Sequence, residues 1–344
     1  MKKLLGATAL LASLAVPVSA NAALGHLSNL FVFGDSLSDG GNSGLATGDI
    51  FTFPPPPYYN GQYSNGPVAV EYLWKSYNPG DSSFRPSLAG GTNYAIGGAT
   101  SGLASYNSIN PKVPVFLQPV YDNLGEAWQL KTFAAQSPAF DPATSLFVIW
   151  TFPNDIFYWQ GSGGMLPGTA TGSSGGFGGI PELIGNGVMN IVSTVLGLAQ
   201  AGAQHFLVPN MFDLSQTPAF LGEKKMGELS GAFNYALGDA LTALDAALPS
   251  AEIIQFDSAA FLNKILANPA AYGMTVTNKS CVDNFNLCEG NENEWLFWDS
   301  VHPTTKAHEI LAAQFRAAVP EPGTIVLFAL GLFGLAAARQ RKLL

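Results

Sequence analysis

The sequence predicts an α/β sandwich around a mostly parallel sheet of about five strands. Short apolar runs near residues 30, 94, 147, 206 and 253 alternate with longer stretches of helical period. The run Ser145–Thr151 is apolar without alternation, as a strand covered on both faces requires. Polar or glycine-rich segments follow the first three runs, at the edge where an open parallel sheet carries its sites. No internal repeat divides the chain, so one domain is expected.

Taken in order, Leu30–Phe33 read as a buried strand, and Gly34 permits a sharp turn that leaves Ser36 at the strand end. Phe51–Tyr59 carries four consecutive prolines, Pro54–Pro57, between Phe53 and Tyr58. It can be neither helix nor regular strand, and its aromatic edges suit a surface loop beside a cleft. Ser64 or Asn65 is expected to cap a helix with Pro67 in its first turn. Asn93–Ile96 reads as a strand that ends at Gly97-Gly98, and a helix is expected within Val113–Ser137.

The run at Ser145 delivers Asn154 just past its end. Gly161–Gly179 reads as a loop, Pro181–Ala201 as a helix, and Gln204–Pro209 as a strand. Pro218–Leu248 reads as helical, Ala251–Phe256 as a strand and Ala259–Ala267 as a short helix. Asn268–Glu294 is expected to be loop, and Pro303–Ala318 a last helix with Pro303 in its first turn.

The 344 residues carry a net charge of −9 with only 15 Lys plus Arg and no basic stripe, which argues against nucleic acid as a partner. Charged residues make up 11% of the chain, few for a cytoplasmic enzyme. Both ends read as addresses. Lys2 and Lys3 precede the apolar run Leu4–Val18, and small residues follow to Ala23, the layout of a secretory signal peptide over residues 1–23. Export makes a local Cys281–Cys288 disulfide the expectation, with two free thiols as the alternative.

Val319-Pro320-Glu321-Pro322-Gly323 precedes the apolar run Thr324–Ala338 and the basic residues Arg339, Arg341 and Lys342. That order resembles the PEP-CTERM sorting signal of Gram-negative bacteria. The resemblance implies processing of residues 319–344 by an exosortase and delivery of the body to the cell surface, outer membrane or extracellular matrix. A simple C-terminal membrane anchor is the alternative. Residues 24–318 remain for the folded body.

A serine nucleophile needs a base, an acid that holds the base, and donors for the developing oxyanion. Among the four histidines, His302 follows a predicted loop and precedes a proline, with Asp299 three residues before it. A tight turn there puts both side chains on one side; the alternative is that Asp299 merely caps the helix. Ser36, Gly98 and Asn154 end three separate predicted strands, and a parallel sheet brings such ends to one edge. No zinc-ligand spacing, phosphate-binding glycine loop or Gly-x-Ser-x-Gly elbow occurs, and no cofactor or metal is expected.

With these residues in order, the chain over most of 28–318 resembles the SGNH/GDSL hydrolase family. Gly34-Asp35-Ser36-Leu37 is similar to its first block, Gly98 to the glycine of the second, Asn154 in Pro153-Asn154-Asp155 to the asparagine of the third, and Asp299 with His302 to the last. The resemblance implies a three-layer, flavodoxin-like α/β/α sandwich and a Ser36–His302–Asp299 triad. It implies oxyanion donors at Ser36, Gly98 and Asn154, and a lipid or other acyl ester as substrate. Deacetylation of an exported polysaccharide, or a non-catalytic matrix or carbohydrate-binding role, is the alternative. One departure is Phe152, which holds the place of a glycine in the third block and is expected to narrow the pocket or shift Asn154.

Overall fold

The computed structural model describes residues 24–48 and 53–320, so the expected signal peptide and the apolar C-terminal segment lie outside the described residues. Four strands form the main sheet: β1 (Asn29–Gly34), β2 (Ser145–Trp150), β3 (His205–Pro209) and β4 (Glu252–Phe256). They run parallel in the order β1-β2-β3-β4. The expected strand near residue 94 is not regular. It touches β1 through a single parallel bridge, Val32 to Asn93, and the N–H groups of Tyr94 and Ile96 donate to the carbonyls of Val32 and Gly34. It therefore lies at the sheet edge beside β1 and still brings Gly97-Gly98 alongside the end of that strand.

Alternation along each strand divides the core into two layers. Leu30 and Val32 of β1 with Leu146, Val148 and Trp150 of β2 face one side, where α1 (Ala69–Tyr77) and α6 (Thr305–Ala318) pack. Phe31, Phe33, Phe147 and Ile149 face the other, against α2 (Glu126–Gln136), α4 (Ile180–Gln200) and α5 (Lys224–Ala247). Between α2 and α4 in sequence, α3 (Pro153–Gly161) follows β2 directly. The result is the α/β/α sandwich that the alternation predicts. Helix α4 is long and apolar enough to cross a membrane, but Leu183, Val188, Ile191, Val195 and Leu198 are buried against the sheet.

Several boundaries differ from expectation for identifiable reasons. Helix α1 starts at Ala69 with Val68 as its cap, because Ser64 and Asn65 are engaged elsewhere: Ser64 Oγ donates to Pro303 O, and Asn65 Oδ1 accepts from Thr305 N. The Val113–Ser137 stretch is helical chiefly in its second half, since Pro114 and Pro119 restrict the first to short turns and leave Val115 exposed. Helix α6 begins at Thr305, capped by the Thr304 hydroxyl, with Pro303 outside it. The stretch read as loop from 268 to 294 contains Val276–Ser280, which pairs in parallel with Trp295–Phe297 as a second small sheet. Cys281 and Cys288 form a disulfide beside that sheet and pack with Trp295 and Trp298.

Candidate active site

At the C-terminal end of β1 the chain turns at Gly34, where a Cβ would sit 2.8 Å from Trp150 O. Gln129 of α2 fixes this turn from both sides: its Oε1 accepts from Gly34 N at 2.8 Å and its Nε2 donates to Gly34 O at 2.7 Å. Ser36 follows, largely buried. From the far end of the chain, the loop after Trp295–Phe297 brings His302 Nε2 to 2.7 Å from Ser36 Oγ. His302 Nδ1 lies 2.7 Å from Asp299 Oδ2.

Asp299 is held on both oxygens. Oδ1 accepts from the N–H groups of Val301 and His302, each at 2.8 Å. Burial by itself raises the pKa of this carboxyl, but the adjoining His302 and these hydrogen bonds outweigh it and bring it down to about 2. Asp299 does not cap the following helix; Thr304 does. The hydroxyl of Tyr58 is a further donor to Asp299 Oδ2, at 2.7 Å.

Gly98 and Asn154 line the same cleft as Ser36 and His302, so the structure brings all five sequence-predicted residues together. Gly98 has φ of +81°, a conformation that favours glycine. Among the described residues, no protein acceptor is recorded for the N–H of Ser36 or of Gly98. Asn154 sits in the first turn of α3 and donates from Nδ2 to Asp35 Oδ2 at 3.3 Å.

Three buried aspartates tie together three segments: the first after β1, the second at residues 97–101 and the third at the start of α3. Asp35 joins the first loop to Asn154 of the third. Asp39 joins the first to the second: its Oδ2 accepts from Gly97 N at 2.8 Å, and its Oδ1 accepts from Gly41 N and Asn42 N. Asp155 joins the third to the second, accepting from Ser101 N and Ser101 Oγ. Burial raises all three, Asp35 to about 6 and Asp155 to about 7. These aspartates, Gln129 and Tyr58 were not evident from the sequence. Only Asp35 and Asp155 carried a signal, as immediate neighbours of Ser36 and Asn154.

Phe152 does not narrow the cleft. Its side chain is wholly buried and stacks on Phe233 of α5, away from the lining residues. Its φ of +113° explains why a glycine serves this position elsewhere.

The cleft holds about 380 Å³ and is walled mainly by apolar side chains, among them Phe53, Pro54, Phe157, Phe212, Leu214 and Phe220. Phe53 and Pro54 come from the proline-rich loop, which borders the cleft as the sequence suggests. Besides Ser36, Asn154, Asp299 and His302, its polar lining includes Asn107, Asn110, Lys112 and Asp283. Two other histidines stand apart: His205 pairs with Glu252 at 3.2 Å, and His308 is buried on α6 with Nδ1 accepting from Ala69 N. Among the described residues, no group of three or more His, Cys, Asp or Glu side chains has the arrangement of a metal site.

Residues 30–315 match the family model described as GDSL-like Lipase/Acylhydrolase, and residues 318–342 match the PEP-CTERM protein-sorting motif. An uncharacterized protein from the trpE-trpG intergenic region of Pseudomonas putida is 27% identical over 92% of this chain, which spans 53% of that relative. A GDSL esterase/lipase of Arabidopsis thaliana is 26% identical over 82% of this chain and 83% of its own. A phosphatidylcholine-sterol acyltransferase of Aeromonas hydrophila is 25% identical over 88% of this chain and 93% of its own. An acetylxylan esterase structure from Geobacillus stearothermophilus aligns over 87% of this chain and 96% of its own, with a TM-score of 0.44 and 16% identity.

Proposed function

The chain belongs to the GDSL-like lipase/acylhydrolase family, and from that premise we propose that it is a serine hydrolase of carboxylic esters working through an acyl-enzyme. The observation that carries this reading is the unbroken hydrogen-bonded path from Ser36 Oγ through His302 to Asp299, with both contacts at 2.7 Å. In the neutral imidazole that path requires, Nδ1 carries the proton toward Asp299, and Nε2 offers its lone pair to the serine hydroxyl.

The reaction then runs in two halves. His302 Nε2 takes the Ser36 proton as Oγ bonds to the ester carbonyl carbon, and the carbonyl π electrons move onto oxygen. The N–H groups of Ser36 and Gly98 and the amide of Asn154 donate to that oxygen. When the tetrahedral intermediate collapses, the bond to the alcohol breaks and His302 returns the proton to the departing oxygen. Water repeats the sequence on the acyl-enzyme: His302 takes its proton, and the acid leaves as Ser36 regains its own. Asp299, ionised throughout, balances the imidazolium that forms in each half.

The apolar lining of the cleft supports an ester with a hydrocarbon acyl chain, and the esterase and lipase names of several relatives fit the same class. The sorting motif supports export and exosortase processing. Hydrolysis of p-nitrophenyl esters of rising acyl length by the full chain, beside Ser36→Ala and with and without chelator, tests the proposal. Chelator-insensitive turnover that Ser36→Ala abolishes is expected. Turnover undiminished in Ser36→Ala overturns it. Activity confined to an acetylated polysaccharide moves the substrate to that class, and binding without turnover of any ester favours a carbohydrate-binding role.

A further inference from the structure

Tyr58 belongs to no catalytic block and lies outside the proton path, yet its hydroxyl donates to Asp299 Oδ2 at 2.7 Å. That oxygen also faces His302 Nδ1 at 2.7 Å, while Oδ1 takes two backbone N–H groups. The tyrosine ring is itself fixed. It packs edge-on against Trp298, the residue before Asp299, with centroids 6.1 Å apart and planes at 90°. It also packs against Tyr63 at 6.3 Å, and Tyr63 in turn lies 5.1 Å from the His302 ring.

We propose that Tyr58 is a positioning residue for ester hydrolysis, a fourth hydrogen-bonded member that shares Asp299 Oδ2 with His302 and keeps His302 available as a base in mildly acidic solution. The proposal rests on the serine-hydrolase reading above. A donor to a carboxylate draws charge from it, so less remains to hold a proton on the neighbouring imidazole. The acid limb of the rate profile is therefore expected at lower pH with Tyr58 in place than with Asp299 alone.

Tyr58 is suited to this part. Burial first, then the charge of Asp299 and the bond to it, push its phenol far above the ordinary tyrosine range, so it remains a donor at working pH. The other groups facing this pair are Asp35 on the nucleophile turn, Tyr63, Asp283 beside the disulfide and His308 on α6. Among the described residues, none of these four has a recorded hydrogen bond to Asp299, so Tyr58 is the side chain that, with His302, holds that carboxylate.

The test is the pH dependence of kcat/KM for p-nitrophenyl butyrate with the full chain, Tyr58→Phe, Asp299→Asn and the double variant. Phenylalanine retains the ring contacts with Trp298 and Tyr63. The acid limb of Tyr58→Phe is expected to move up by about one pH unit relative to the parent. In the Asp299→Asn background the same substitution is expected to move nothing further. Should Tyr58→Phe fail to fold, 3-fluorotyrosine at position 58, a stronger donor, is expected to move the limb down. An unmoved limb overturns the proposal, as does a loss uniform across pH that persists without Asp299. A parent enzyme silenced by Ser36→Ala but with an unmoved limb fails the Tyr58 proposal alone; activity surviving Ser36→Ala fails the serine reading.

Discussion

The rings of Phe152 and Phe233 lie face to face, centroids 3.5 Å apart and planes 4° from parallel. The Phe152 backbone, at φ +113°, occupies a region that costs a side-chain-bearing residue about 1–3 kcal/mol. Truncating a buried phenylalanine costs about 3–5 kcal/mol, so the ring more than offsets the strain. Gly187 of α4 makes the room, since a Cβ there would lie 2.3 Å from the Phe152 ring. Phe152→Ala loses the ring and keeps the strain, whereas Phe152→Gly loses both. Urea unfolding is expected to find the glycine variant more stable than the alanine variant by about 1 kcal/mol. Equal stability, or the reverse order, would refute the strain.

In the proposed mechanism Asn154 donates to the oxyanion, and Asp35 accepts from its amide. Asn154→Ala is expected to lower kcat by about 10²–10³-fold with KM changed far less, because the lost donor acts chiefly on the transition state. Steady-state kinetics on a short-chain ester reads this directly. A loss confined to KM would remove Asn154 from the oxyanion site.

Glu126, buried where α2 begins, accepts from Thr151 Oγ1 at 3.1 Å, and burial raises it from 4.5 to about 8. The folded chain therefore binds this proton more tightly than the unfolded chain does. The carboxyl's contribution to stability declines as pH rises through the interval from 4.5 to about 8, and is level outside it. Glu126→Gln cannot titrate, so its Tm relative to the parent is expected to climb across that interval and flatten beyond it. A Tm difference that does not vary with pH would show that this carboxyl does not change its protonation on folding.

The disulfide closes a short loop, Cys281 and Cys288 being 7 apart in sequence. The chain-entropy argument gives it about 2.5 kcal/mol. Replacing both cysteines by serine is expected to lower unfolding free energy by about that amount and to raise KM more than it lowers kcat. The reason is that Val282 and Asp283 inside the loop line the cleft. Unchanged KM would detach the loop from substrate binding.

What the sequence revealed and what it hid divide by the range of the contacts involved. Unbroken apolar runs such as Ser145–Trp150 mark central strands because both their faces meet helices. Ser36, Asn154 and Gly98 were legible from their places at strand ends, and Asp299 with His302 from a spacing that one turn brings together. Gln129 was not legible, because an amide clamped on a backbone 95 residues away leaves no local pattern. Tyr58 was read only as an aromatic loop edge, and its partner lies 241 residues on. The small sheet of Val276–Ser280 with Trp295–Phe297 escaped notice because its first strand is short, polar and partly exposed. Phe152 misled for the opposite reason: a motif position suggested the pocket, and the turn sends the ring into the core.

Ser36 and His302 stand 266 residues apart in the chain. Helix α6, which follows His302, ends at Ala318, where the sorting motif begins. In the proposed mechanism a growing or truncated polypeptide thus carries its nucleophile early but gains its base only once residue 302 is present. Under the proposed mechanism, fragments clipped ahead of Asp299 are expected to be inert toward esters even where their main sheet forms. Trimming beyond residue 318 removes the stretch that matches the sorting motif and is expected to spare the proposed chemistry. On that mechanism, a cut between the nucleophile and Asp299 is expected to separate the serine from its base, whereas one past Ala318 leaves Ser36, Asp299 and His302 on one chain.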